Sequence, residues 1–229
     1  MSDNDVTIAR GILTHKGKSR PIKQIGKGAF AVVYQAQDGK GEVFAVVKDD
    51  SGDHTKHILA ESSGSSYYLP KIERIGWTRG VDVFQMPYYK APLRSTDSPT
   101  AWAQFVVLKD CHDESVLRAR DRVGGWGRSI IYEGHRMMSD TIACVKKAKQ
   151  PKALVRALET LQSNAANHGS DYSFEFAARN AATDGRGRLV LLDPLFSQET
   201  MARKHTAARR KAGGLYGAKA PVCWPRCAA

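Results

Sequence analysis

The sequence contains no run of about 18 consecutive apolar residues, which excludes a transmembrane helix. Its first thirty residues lack a basic segment leading into an apolar core, so no secretory signal is expected. Cysteine is scarce. Cys111, Cys144, Cys223 and Cys227 are scattered over 229 residues, a usage that fits a reducing cytosol rather than a disulfide framework. Zinc is poorly provided for: Cys223 and Cys227 form a C-x3-C pair with only His205 nearby, short of the four ligands a structural site needs. The seven histidines make no H-x-x-x-H pair on a predicted helix. What is present is an ordinary globular composition, 42% hydrophobic and 25% charged, enough for one domain or one bilobed domain.

Acidic residues are missing from the end of the chain. The net charge is +12, and after Glu199 there is no acid but seven cations: Arg203, Lys204, Arg209, Arg210, Lys211, Lys219 and Arg226. Residues 199–229 therefore read as a basic tail, an arm suited to phosphates, nucleic acid or an acidic protein surface. Thr206 within it is a candidate autophosphorylation site, because Arg203 and Lys204 lie just upstream. By contrast, Lys146, Lys147, Lys149 and Lys152 cluster where a helix ends and read as a solvated face.

The first half reads as short strands: 6–13, 21–27, 31–37, 43–48, 72–77 and 81–86. Asp38-Gly39-Lys40-Gly41 and Thr78-Arg79-Gly80 supply turns, and a short helix is predicted over 53–62 with Asp53 as its N-cap. The second half changes period. Helices are predicted over 100–109, 114–122, 137–149 and 152–164, followed by a polar loop and a buried strand at 189–192. Residues 124–127 read as a surface loop. The fold expected is α+β, with a β-rich lobe over 1–90 and a helical lobe over 91–198.

The strongest local signal is Ile25-Gly26-Lys27-Gly28-Ala29-Phe30-Ala31-Val32-Val33-Tyr34. Gly26 and Gly28, set between strands, let backbone N–H groups approach phosphate oxygens, with Phe30 in the lid and Val33 able to roof an adenine ring. A dinucleotide-binding loop would need a helix next, whereas a strand follows; no G-x-x-x-x-G-K-[ST] run exists, which excludes a Walker-type loop. Lys48 closes the apolar strand Val43-Phe44-Ala45-Val46-Val47, 22 residues after Gly26. A lysine on the strand after a glycine hairpin is the arrangement used by protein kinases, where a carboxylate on the next helix holds it; Glu61 is the candidate here.

Further on, Ser173-Phe174-Glu175-Phe176-Ala177-Ala178-Arg179-Asn180 is followed by Leu189-Val190-Leu191-Leu192-Asp193-Pro194-Leu195. This order and spacing resembles the H-R-D-L-x-x-x-N and D-F-G motifs of protein kinases. The resemblance implies that Asn180 and Asp193 bind Mg2+, that Glu175 stands where the catalytic aspartate would, and that Met86, Pro87 and Tyr88 form the adenine-contacting hinge. Phosphoryl transfer needs a positioned triphosphate, a cation against its charge and a carboxylate near the incoming hydroxyl, and hard oxygen donors suit Mg2+.

The departures are as informative. Ala31 replaces the third glycine, Ser173 and Phe174 replace His-Arg, and Pro194-Leu195 replaces Phe-Gly. Only 33 residues follow Phe196, with no A-P-E, so the helical lobe is abbreviated. The Asn180, Asp193, Pro194, Phe196, Ser197 and Gln198 pattern is similar to the early Ser/Thr protein kinases of T7-like tailed bacteriophages. That resemblance implies ATP and Mg2+ as cofactors, residence in the host cytoplasm, and host proteins as substrates, including transcription and RNA-processing machinery. The alternative is a pseudokinase module that binds a host protein or nucleic acid without catalysis; a small-molecule phosphotransferase is a third reading.

Overall fold

The structure is a computed structural model that describes residues 7, 9–11, 13–14, 22–27, 31–36, 42–48, 54–78, 80–124, 132–169, 171–200 and 202. Outside them lie Gly28, Phe30, the 38–41 turn, Asp53, residues 125–127 and the tail beyond 202 with Thr206, Cys223 and Cys227. Of Lys48, only the backbone is described.

Five strands, β1 (Ile22–Lys27), β2 (Ala31–Ala36), β3 (Glu42–Lys48), β4 (Glu73–Thr78) and β5 (Val81–Pro87), form one antiparallel sheet in the order β1-β2-β3-β5-β4. The expected α+β architecture is observed, with the helical part following the sheet. Between β3 and β4 runs helix α1 (Thr55–Ser62), preceded by His54, which gives it no side-chain cap. The β4–β5 hairpin turns through Gly80, whose φ of +72° only glycine adopts at little cost.

Strand alternation gives the sheet two dissimilar faces. Val43, Ala45 and Val47 of β3, with Phe84 and Met86 of β5, join the main core alongside Ile58 and Leu59 of α1. Val32 and Tyr34 of β2, with Phe44, Val46, Val81 and Val83, line the opposite face, where Ala9 and Leu13 cover them. Here the structure corrects the expected strand at 6–13: its described residues are helical. Ala9 and Leu13 stand four apart and so share one helix face, and both are buried on the sheet.

The second lobe has α2 (Pro99–Arg122), α3 (Gly134–Lys147) and α4 (Lys152–Ala166). The two helices expected at 100–109 and 114–122 are one, because Ala101, Phe105, Leu108, Cys111, Ser115 and Ala119 continue a single buried stripe through the polar stretch. Ser98 caps its start, accepting a hydrogen bond from the Ala101 amide at 3.3 Å. The cysteines also depart from expectation: Cys111 of α2 and Cys144 of α3 are disulfide-bonded, their Cα atoms 5.5 Å apart. Scattered in sequence, they meet because α2 and α3 pack together. Two small hairpin-like pairs complete the lobe: β6 (Tyr172–Phe174) with β9 (Leu195–Ser197), and β7 (Ala181–Thr183) with β8 (Leu189–Leu191). No described helix is long and apolar enough to cross a membrane.

Candidate active site

Two strand pairs bring the late motif together. The β6–β9 pairing runs on into a hydrogen bond from the Glu175 amide to the Pro194 carbonyl at 2.8 Å, so Glu175 lies beside the residue that follows Asp193. The β7–β8 pairing starts from a 3-10 turn, Ala178–Asn180, whose last carbonyl accepts from the amides of Leu192 at 2.8 Å and Asp193 at 3.4 Å. Residues 175, 180 and 193, up to 18 positions apart in sequence, are thereby fixed at one mouth by backbone bonds alone.

Helix α1 closes that mouth from above. Its buried face carries Thr55, Lys56, Ile58, Leu59 and Ser62. The Lys56 ammonium reaches Asp193 Oδ1 at 2.9 Å; the lysine side chain is 9% exposed and the aspartate 41%. Beside this pair, Glu175 Oε1 accepts from Arg179 Nη2 at 2.6 Å. Burial pushes the Glu175 carboxyl up from its ordinary value; Arg179 and Lys56 pull it down, and the negative charge of Asp193 pushes it further up. Two cations thus flank two acids: Lys56 on Asp193, and Arg179 on Glu175.

Polar contacts fix α1 at both ends of the space between the lobes. His57 Nε2 lies 3.0 Å from Asp82 Oδ2 on β5, and Arg74 of β4 pairs with the other carboxylate oxygen. Asp82 is 1% exposed, on the sheet face that bears Phe84 and Met86. On the helical side, Asn164 Nδ2 donates to Ser62 Oγ at 2.9 Å, and the Ser62 hydroxyl donates to the Ile58 carbonyl at 2.7 Å.

The early motif is met in part. Gly26 pairs with Val33 across a bulge, and Val33 packs against the main core, on the side of the sheet that faces the site. Met86 is 9% exposed and packed in that core, whereas Tyr88 is 47% exposed. The chain after the hinge is tied to the late motif by a bridge between Lys90 and Thr183. Glu61 is a correction. It stands on the outward side of α1, 47% exposed, with His168 Nε2 3.1 Å away, because α1 turns the face bearing Lys56 inward instead. In the place of the motif's His-Arg, Ser173 and Phe174 are fully buried, and Phe174 stacks 5.3 Å from Phe176.

The sequence reading passed over Lys56, Arg179, His57 and Asp82. Lys56 had a signal: it sits three residues before Leu59 and so shares the apolar stripe of its helix, an unusual position for a lysine. Arg179 had one too, four residues after Glu175. Asp82 and His57 meet only across the sheet–helix contact.

No family model matches the sequence, and no curated protein does. Among solved structures, the chain is similar to a thermostable mutant of an aminoglycoside phosphotransferase, crystallised as a ternary complex with AMP-PNP and hygromycin B. The two share 11% identity over 90% of this chain and 83% of that one, with a TM-score of 0.37. The chain's own layout, a five-stranded antiparallel sheet, an intervening helix and a helical second part, is consistent with a kinase-like bilobed fold.

Proposed function

We propose that the chain is an ATP-dependent phosphotransferase of the protein-kinase-like type. The observation that carries this reading is the gathering of Glu175, Asn180 and Asp193 at one mouth by the β6–β9 and β7–β8 pairs. Asp193 and Asn180 are the metal-side residues: one carboxylate and one amide, donors that fit Mg2+. Burial is the main reason that the Glu175 pKa is raised, and the negative charge of Asp193 adds to it, a like-charge contribution that a dication would relieve. Mg2+, when bound, would neutralise phosphate charge. Glu175 accepts the proton of an incoming hydroxyl or orients it. Gly26 and Val33 form part of the nucleotide roof and Met86 the wall at the hinge.

The substrate proposed is a serine or threonine hydroxyl on a host protein, supported by the resemblance of the Asn180 to Gln198 segment to the early phage kinases. The full chain, mixed with labelled ATP, Mg2+ and host lysate, should label proteins, and Asp193→Ala should abolish the labelling. Labelling that survives in Asp193→Ala refutes the assignment.

A second reading, a module that binds a partner without catalysis, has its own observation: Lys56 and Arg179 already neutralise Asp193 and Glu175. Thermal denaturation with Mg2+ and ATP separates the two. Stabilisation by nucleotide favours the enzyme, and no shift favours the module.

A further inference from the structure

We propose that Lys56, on helix α1, is the residue that binds the phosphate oxygens of ATP, the role that motif order assigns to Lys48. The inference rests on the phosphotransferase reading above. Lys56 meets Asp193 at 2.9 Å with its side chain 9% exposed, while Asp193 is 41% exposed and so opens the pair to solvent on one side. Among the described residues, the other lysines in ion pairs lie at the surface: Lys90, Lys109 and Lys146 are 74%, 36% and 54% exposed.

Burying an ammonium is unfavourable, and an apolar residue at that place on α1 would hold the lobes together at least as well. A cation kept there, with one acidic partner that faces an opening, suits an anionic ligand that arrives at the same spot. A nucleotide phosphate bound at Asp193 falls within reach of the Lys56 ammonium without movement of α1. The helix is fixed for this by the His57–Asp82 contact above and the Asn164–Ser62 bond below.

Calorimetric titration of the full chain with adenosine, with ADP and with ATP, each in Mg2+, tests this. In the wild type the phosphates add affinity beyond that of adenosine. Lys56→Met, which keeps the length of the side chain, should lose about tenfold or more of ATP affinity, the scale of one charged hydrogen bond, while adenosine binding changes less than about twofold. Lys56→Arg should restore part of the loss, and Lys147→Met, an equal change of charge on an exposed helix end, should restate the wild-type values. Circular dichroism confirms that each variant is folded, and Lys56→Gln replaces Lys56→Met if the latter is not. The proposal is overturned if a folded Lys56 variant keeps the affinity added by the phosphates, if adenosine and ATP weaken equally, or if only Lys48→Met removes that added affinity. A wild-type chain that binds no nucleotide overturns the phosphotransferase reading itself, and this inference with it.

Discussion

The two faces of the five-stranded sheet are built from the same residue types but carry different obligations. The outer face carries an apolar cluster, Phe44, Val46, Val81 and Val83 covered by Ala9 and Leu13, with Gln85 opposite Phe44 at its margin. The inner face holds an equally apolar set, Val47, Phe84 and Met86, and sets among it a buried acid, Asp82, which grips α1 through His57. One face needs only to be dry. The other must also fix a helix in rotation, because a turn of α1 about its axis would trade Lys56 for a neighbour at the Asp193 carboxylate. Stability can therefore be lost from either face, while the geometry of the site depends on the inner one.

The sharpest way to break that contrast is Phe84→Ala. Phe84 is fully buried on the inner face, against His57 with ring centroids 5.0 Å apart. Its truncation should cost about 3–5 kcal/mol in chemical denaturation and lower nucleotide-dependent activity in the protein that remains folded. Asp82→Asn should cost on the order of 2 kcal/mol, since Arg74 and His57 lose a buried charged partner. It should also speed amide exchange along α1, which hydrogen-exchange mass spectrometry reads directly. Val46→Ala is the outer-face counterpart: about 2 kcal/mol of stability, with nucleotide affinity and α1 exchange unchanged. If Val46→Ala perturbs α1 as much as Asp82→Asn does, the division of labour between the faces is wrong.

How far the sequence revealed this arrangement follows from the range of each interaction. Glycine-punctuated strands and the 175–193 motif are local patterns, and β1 to β5 lie where those patterns put them. The N-terminal segment reads as a strand because Val6, Ile8 and Ile12 are strand-like in isolation, whereas the partner of Ala9 and Leu13 is a sheet face made much later in the chain. Helix α2 reads as two helices because the buried residues at its middle, Cys111 and Ser115, are small and set among polar neighbours. Motif order points to Glu61 as the carboxylate for Lys48, and it is silent on Lys56, because the rotation of α1 is set by Asp82 and Asn164, neither adjacent in sequence.

The smallest expected effect is a pH shift. A carboxyl with a raised folded-state pKa binds its proton more tightly folded than unfolded, so its contribution to stability is full at low pH and is lost as pH rises from the ordinary glutamate value of 4.5 through the raised one. If ionised Glu175 is the form that acts, the acid limb of the pH–rate profile lies above 4.5. Arg179 holds that pKa down, so Arg179→Ala should move the limb to still higher pH; movement to lower pH would contradict the assignment.

The central claim, that Asp193 anchors a metal-assisted nucleotide site reached from the inner face, is tested most directly by ATP affinity with and without Mg2+. The wild type should bind ATP more tightly when Mg2+ is present, and Asp193→Asn should abolish that Mg2+-dependent gain. Equal gains in the two proteins, or none in the wild type, would contradict it.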